Sequence, residues 1–228
     1  MTAAPDPRPR DAGTGPSGVR RTAWLSPTTF DAALDALVAR DGEDALVDLR
    51  ADAYGHGAVE VERRARERGI HRFLRTAADA RHVTPQRLIE PYGLLPGSTP
   101  VLRLTGEVIA VKRVPAGTAV SYGYTYRTRG EATLALVGLG YADGVPRLAS
   151  SRAPVRVGAA TGVVAGRVAM DQLVVDLGEH ATGAQAGDDA VLWDDAATLS
   201  AWAAATDRAP EALTAGLGRR IQRRWGLG

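Results

Sequence analysis

Apolar side chains recur at Phe30, Leu34, Leu37 and Val38, the spacing of one helix face, with Ser26 placed to cap that helix and Pro27 at its first position. The period then shortens. Ala45-Leu46-Val47-Asp48-Leu49 is a short, mostly apolar run that predicts a strand. From Ala58 to Arg68, Val61 and Ala65 share one side of a helix whose other side is charged, and Gly69 ends it. Arg72-Phe73-Leu74 predicts a second strand and Ala77 to Val83 a second short helix, so the chain opens as βαβα with parallel strands.

Past Pro85, Pro91, Pro96 and Pro100 the pattern turns to β. Leu102, Leu104, Val108 and Ala110 alternate with Arg103, Thr105 and Glu107, and Pro115-Ala116-Gly117 makes a turn. Further strands are predicted over Leu134 to Leu139, Pro154 to Val157, Gly162 to Val168, Gln172 to Leu177 and Ala190 to Trp193, a spacing that suits a small barrel or sandwich. Tyr122, Tyr124 and Tyr126 alternate as if on one face of a strand. Helices over Leu199 to Ala205 and Pro210 to Ala215 close the pattern. Residues 1–22, with four Pro and no apolar period, predict a disordered tail.

Composition narrows the chemistry. The chain has 228 residues, 45% hydrophobic and 24% charged, which suits a globular fold. Zero Cys excludes disulfides, thiolate metal sites and a cysteine nucleophile. His71, His82 and His180 have no metal-ligand spacing, so no metal is expected. The net charge is +2, and of the 28 basic residues only Lys112 is a lysine. Arg63, Arg64, Arg66 and Arg68 alternate with Glu60, Glu62 and Glu67, and only Arg219, Arg220, Arg223 and Arg224 form an uncompensated run. Neither a nucleic-acid stripe nor an apolar run near the roughly 20 residues of a membrane span is present, so the expectation is a cytoplasmic protein that binds neither.

Three stretches place polar residues in Gly-flanked loops directly after apolar runs: Leu49-Arg50-Ala51-Asp52-Ala53-Tyr54-Gly55-His56-Gly57, Leu139-Gly140-Tyr141-Ala142-Asp143-Gly144, and Gly166-Arg167-Val168-Ala169-Met170-Asp171-Gln172. In this order, with Val114-Pro115-Ala116-Gly117 and Tyr122-Gly123 before the second, they resemble the alanine racemase family of pyridoxal-phosphate enzymes.

That resemblance implies a (β/α)8 barrel followed by a β-rich domain, with the active site between one subunit's barrel and its partner's β-domain. Residues 24–83 resemble the opening strand-helix units, and Tyr92-Gly93-Leu94-Leu95-Pro96-Gly97 resembles the segment that leaves the last barrel strand. Between them the middle of the barrel is missing. Residues 23–97 number 75, whereas a closed barrel takes at least roughly 200. The expected fold class is therefore α+β: a C-terminal β-barrel or sandwich domain over 98–228, preceded by a short barrel remnant over 23–97.

The resemblance also implies roles. The lysine that forms the Schiff base, and serves as one of two bases, is matched by Arg50, whose guanidinium keeps its proton and has no amine to offer. Tyr141 matches the second base, Tyr54 a tyrosine that helps hold the cofactor phosphate, Met170 a residue whose amide faces the substrate carboxylate, and Arg167 a residue near the substrate entrance. The pyridine-nitrogen arginine falls on Gln86, with Arg87 one residue away; a phosphate-site glycine becomes Leu88; a phosphate-binding tyrosine aligns with Arg219, and Gln222 stands where a proline is usual.

Each motif also has a plain structural reading. Tyr141 to Gly144 reads rather as a tight turn in which Asp143 bonds its own backbone, Met170 rather as a core residue, and Asp52, Tyr54 and His56 equally as loop residues that satisfy amides and carbonyls. Three functions remain open: a degenerate homologue acting as a binding or assembly module, an active racemase completed by another chain's lysine, and an enzyme of changed chemistry using Tyr141 and Arg50. Because a shortened α/β layer leaves strand edges and an apolar sheet face to cover, a homodimer or a complex with a full-length racemase is expected.

Overall fold

Ser26 accepts the backbone N–H of Thr29 through its side chain at 3.2 Å and starts the first helix, as its place before Pro27 predicts. The computed structural model describes residues 18–226 except 180 and 182. In chain order it runs β1 (Arg21–Leu25), α1 (Pro27–Asp41), β2 (Leu46–Asp48), α2 (Arg50–Gly55), α3 (Ala58–Glu67), β3 (Arg72–Leu74) and α4 (Pro85–Ile89). The β-rich part follows as β4 (Leu102–Val114), β5 (Ala119–Val120), β6 (Tyr126–Arg127), β7 (Ala132–Val137), β8 (Pro154–Val157), β9 (Ala160–Val164), β10 (Leu173–Asp176) and β11 (Asp189–Trp193). α5 (Ala196–Thr206), α6 (Pro210–Ala215) and β12 (Gln222–Trp225) complete it.

Strands β4, β7, β10, β9, β8 and β11 pair antiparallel in that order, and β11 pairs back onto β4, closing a six-stranded barrel. Closure removes the free edges that an open sheet of short strands would expose. Strand β4 makes this possible by its length: residues 102–107 pair with β1 and β11, and 108–114 pair with β7. The barrel interior is apolar, with Leu104, Val108, Val137, Val155, Val164, Val175 and Leu192 all buried.

The barrel remnant is two parallel strands, β2 and β3, with α3 between them. It shares one continuous core with the barrel, from Phe30 and Val61 through Leu102 to Leu213. Tyr92, fully buried, is the joint: its ring meets Phe30 at 5.8 Å, Tyr54 at 5.4 Å and His56 at 4.8 Å, while Phe30 meets Trp225 of β12 at 5.4 Å.

Four expectations are corrected. The tail boundary at residue 22 cuts a strand, because Arg21 and Thr22 are buried in β1, which pairs with β4 and runs parallel to β12. β1 therefore joins the barrel sheet although it precedes the remnant; residues 1–17 lie outside the described residues. Residues 77–83 form turns rather than a helix, since the Asp79 carboxylate takes the N–H of Arg75 and Thr76 and bends the chain there. Tyr122 and Tyr124 do not share a strand face with Tyr126: they lie in a 3-10 turn around Gly123, and only Tyr126 is in a strand. Met170 is not core; it is 53% exposed.

Candidate functional site

Two groups of motif residues are brought close, one at the end of β2 and one at the end of the barrel. At the β2 end, Asp48 is buried and its carboxylate accepts from Arg50 at the backbone N (3.0 Å), Nε (2.9 Å) and Nη2 (2.5 Å), and from the Tyr54 hydroxyl at 2.7 Å. The Tyr92 hydroxyl donates to the Asp48 carbonyl. Asp48 holds the Arg50 guanidinium even more firmly protonated than usual. Burial, with the Asp48 hydrogen bond, pushes the Tyr54 phenol up to about 12.

The turn that follows has an unusual backbone. Ala51, Asp52, Ala53 and Tyr54 have φ of 49°, 57°, 54° and 52°, four successive left-handed residues of which none is glycine. Such residues cost about 1–2 kcal/mol each, and the surroundings hold them in place. Asp52 caps α3 through the Ala58 N–H at 2.8 Å, and Arg223 of β12 donates from Nε to the Gly55 carbonyl at 3.0 Å. Gly55 is required here: φ is +81°, and a Cβ would lie 2.1 Å from the Thr214 carbonyl oxygen of α6.

His56 ends the turn fully buried, its Nδ1 2.9 Å from the Ala53 carbonyl and 3.1 Å from that of Tyr54. Burial, reinforced by nearby Arg223, pushes its pKa down to about 4 from 6.5, against the pull of the two carbonyls and Asp52. The unfolded chain then binds the extra proton between these values, so stability is complete above about 6.5 and falls as pH drops toward 4. The loss amounts to roughly 3 kcal/mol. Urea melts at pH 7.5 and 4.5 check this, and a His56→Gln variant should lose that part of the slope; an unchanged slope would refute the assignment.

At the barrel end, the loops of Tyr141 and Met170 lie side by side. Tyr141 N–H donates to the Ala169 carbonyl at 3.0 Å and Ala142 N–H to that of Met170 at 2.9 Å. Gly140 permits this contact, since a Cβ there would sit 2.3 Å from the Met170 oxygen. Beneath them the buried Asp143 accepts the Gly140 N–H at 2.9 Å and pairs with Arg220 Nε at 2.9 Å and Arg21 Nε at 3.3 Å. Arg220 also reaches Asp171 at 2.6 Å, which ties the Met170 loop into the same group.

Above this base Tyr141 is 41% exposed, with the Arg147 guanidinium 5.7 Å from its ring centroid. Arg167 lies exposed against Gly123 and lines a cleft of about 460 Å³ with Tyr122, Tyr124, Ala169 and Gln172. Tyr122 and Tyr124 are exposed. The segment from α6 to β12 connects the two groups: Thr214 lies under Gly55, Gly218 N–H donates to the Asp143 carbonyl at 2.9 Å, and Arg223 returns to Gly55.

Other candidates lie elsewhere. Arg87 pairs with Asp41 at 2.6 Å on the surface beside Arg40 and Glu90, so it is not with Arg50 and Tyr54. Arg219 is exposed between α6 and β12, and Lys112 is exposed on β4. The basic run is largely consumed: Arg220 by Asp143 and Asp171, Arg223 by backbone carbonyls, and Arg224 over the Trp24 ring at 5.7 Å. Among the described residues no group of His, Asp and Glu is placed to hold a metal, and no helix is long and apolar enough to cross a membrane. The sequence reading missed Asp48, Arg21 and Arg220. A carboxylate two residues before Arg50 was the available signal for the first, since an Asp side chain at the end of a strand readily accepts the backbone N–H two residues on.

The profile of the family "Alanine racemase, C-terminal domain" matches residues 101–225. An alanine racemase of Beutenbergia cavernae is 38% identical over 93% of this chain and 64% of its own length. One of Frankia casuarinae is 34% identical over 94% of this chain and 64% of its own. The chain thus spans just under two thirds of these relatives. The crystal structure of alanine racemase from a D-cycloserine-producing Streptomyces lavendulae superposes with a TM-score of 0.77 at 24% identity, over 92% of this chain and 97% of that one. A Bartonella henselae alanine racemase, TM-score 0.77 at 15% identity over 91% of this chain and 99% of that one, carries covalently bound pyridoxal phosphate. Residues at the β2 end do not fit such a covalent group, because position 50 is a guanidinium already held by Asp48 and the Tyr54 hydroxyl is donated to the same carboxylate. The family match over residues 101–225 and the 38% identity over 93% of the chain make it a truncated member of the alanine racemase family.

Proposed function

We propose that this chain is a degenerate racemase homologue that lacks racemase activity alone and acts as a binding or assembly module through its barrel end. The observation that carries this reading is the contrast between the two groups of motif residues. Arg50 is closed into an ion pair with the buried Asp48, whereas Tyr141 and Met170 stand exposed on loops fastened from below by Asp143, and Tyr122 stands exposed on a turn whose Ser121 hydroxyl donates to the Arg167 carbonyl. An aromatic and methionine surface of this kind suits a partner contact. The partner is a second copy in isolation, or the barrel of a full-length racemase where the cell makes one. Pyridoxal phosphate has no covalent place at residue 50, and Tyr141 works as a contact rather than as a base.

Light scattering at tens of micromolar and binding to an immobilised full-length alanine racemase test the proposal. In the hetero-complex case Tyr141→Ala weakens capture about 30-fold, the effect of losing one central aromatic anchor of roughly 2 kcal/mol. A clean monomer with no affinity for the full-length enzyme would remove the reading.

A further inference from the structure

We propose that Asp48 is a carboxylate latch, itself buried, that commits residue 50 to an ion pair, so that the end of β2 is a structural joint where amine chemistry does not return by changing residue 50 alone. The proposal rests on the reading that residue 50 no longer serves a cofactor, and adds why.

The Asp48 side chain is fully buried, and a buried carboxylate needs a cation and a full set of donors. Its set is complete and local: three donors from Arg50 and the hydroxyl of Tyr54. The same carboxylate therefore holds residue 50, fixes the last residue of the left-handed turn, and takes the Tyr54 proton that would otherwise point to a bound anion. Tyr92 closes the group from the other side through the Asp48 carbonyl. Any cation placed at position 50 meets this carboxylate first. For an amine that meeting decides reactivity: an opposite charge within about 4–6 Å favours the protonated form by 1–3 pK units, and an ammonium has no lone pair with which to attack a carbonyl.

The chain suits a direct test because Lys112, exposed on β4, is its only natural lysine and serves as internal standard. Arg50→Lys and the double variant Asp48→Asn/Arg50→Lys are treated with pyridoxal phosphate and sodium borohydride. The free amine attacks the aldehyde carbon, water leaves, and borohydride delivers hydride to the C=N bond, giving a stable secondary amine. Peptide mass spectrometry then compares the adduct at position 50 with that at Lys112. The expected ratio is at least about tenfold higher in the double variant than in Arg50→Lys; equal ratios would overturn the proposal.

Should the double variant not fold, labelling of Arg50→Lys is followed against pH. The introduced amine should reach half-maximal labelling about one pH unit or more above Lys112, and coincident profiles would overturn the latch. Loss of partner capture in the preceding test would remove the assembly reading and leave this ratio unchanged.

Discussion

Incubating the purified chain with L-alanine and pyridoxal phosphate should leave D-alanine at the background of a protein-free control. Racemisation needs an amine to join the cofactor and a base on each face of the α-carbon. Arg50 supplies neither, because its guanidinium is protonated and hydrogen-bonded to Asp48. Tyr54 is no substitute: its hydroxyl is donated to the same carboxylate, with its pKa pushed up to about 12. Lys112 sits on the barrel wall in β4, whereas Arg50 follows β2 in the remnant. Since enzymes accelerate reactions by at least about 10^6, the shortfall against an ordinary racemase should be of that order. Arg50→Lys should not lift it, for the reason Asp48 provides. Chiral chromatography gives the answer, and D-alanine formation that scales with protein would defeat the reading.

The barrel was legible because its strands face one dry core. Pro154–Val157 alternates cleanly and forms β8 over the same residues, and Leu173–Asp176 and Asp189–Trp193 lie within two residues of expectation. Helices α1 and α3 of the remnant were legible too, through Ser26, Pro27 and Gly69, whereas α2 and α4 were not. What stayed hidden were elements whose polar residues are spent inside the molecule. Arg21 and Thr22 read as tail because a buried arginine makes sense only once Asp143 is opposite it. β12 read as a charge run, although Arg223 donates to four backbone carbonyls and Trp225 packs on Phe30. The left-handed turn at Ala51 to Tyr54 has no sequence signal, since local rules reserve that region for Gly, Asn and Asp; here neighbours from α6 and β12 impose it. Of the site, the motif loops were visible and their state was not: whether Arg50 is reactive or locked depends on one carboxylate, Asp48, that pattern reading counted as strand.

Asp143→Ala should be the most destabilising single change in the barrel end, by about 3–5 kcal/mol. Its side chain is fully buried and faces Arg21 from β1 and Arg220 from the segment after α6, while also accepting the Gly140 N–H. Truncation removes the carboxylate from two guanidinium groups at once, one of them only 7% exposed, and leaves the Gly140 amide without its acceptor. For a chain of this size the melting temperature should fall by roughly 10 °C. Asp143→Asn keeps an acceptor for Gly140 and should cost less, which separates the hydrogen bond from the charge. The fall also bears on function, because Asp143 joins the first strand, the Tyr141 loop and, through Arg220 and Asp171, the Met170 loop. The Asn variant, still folded, should bind a full-length racemase more weakly than the wild type although Asp143 itself is buried and touches no partner. A fall of less than 1 °C on Asp143→Ala would mean that the loops are fastened by their backbone bonds to Ala169 and Met170 instead.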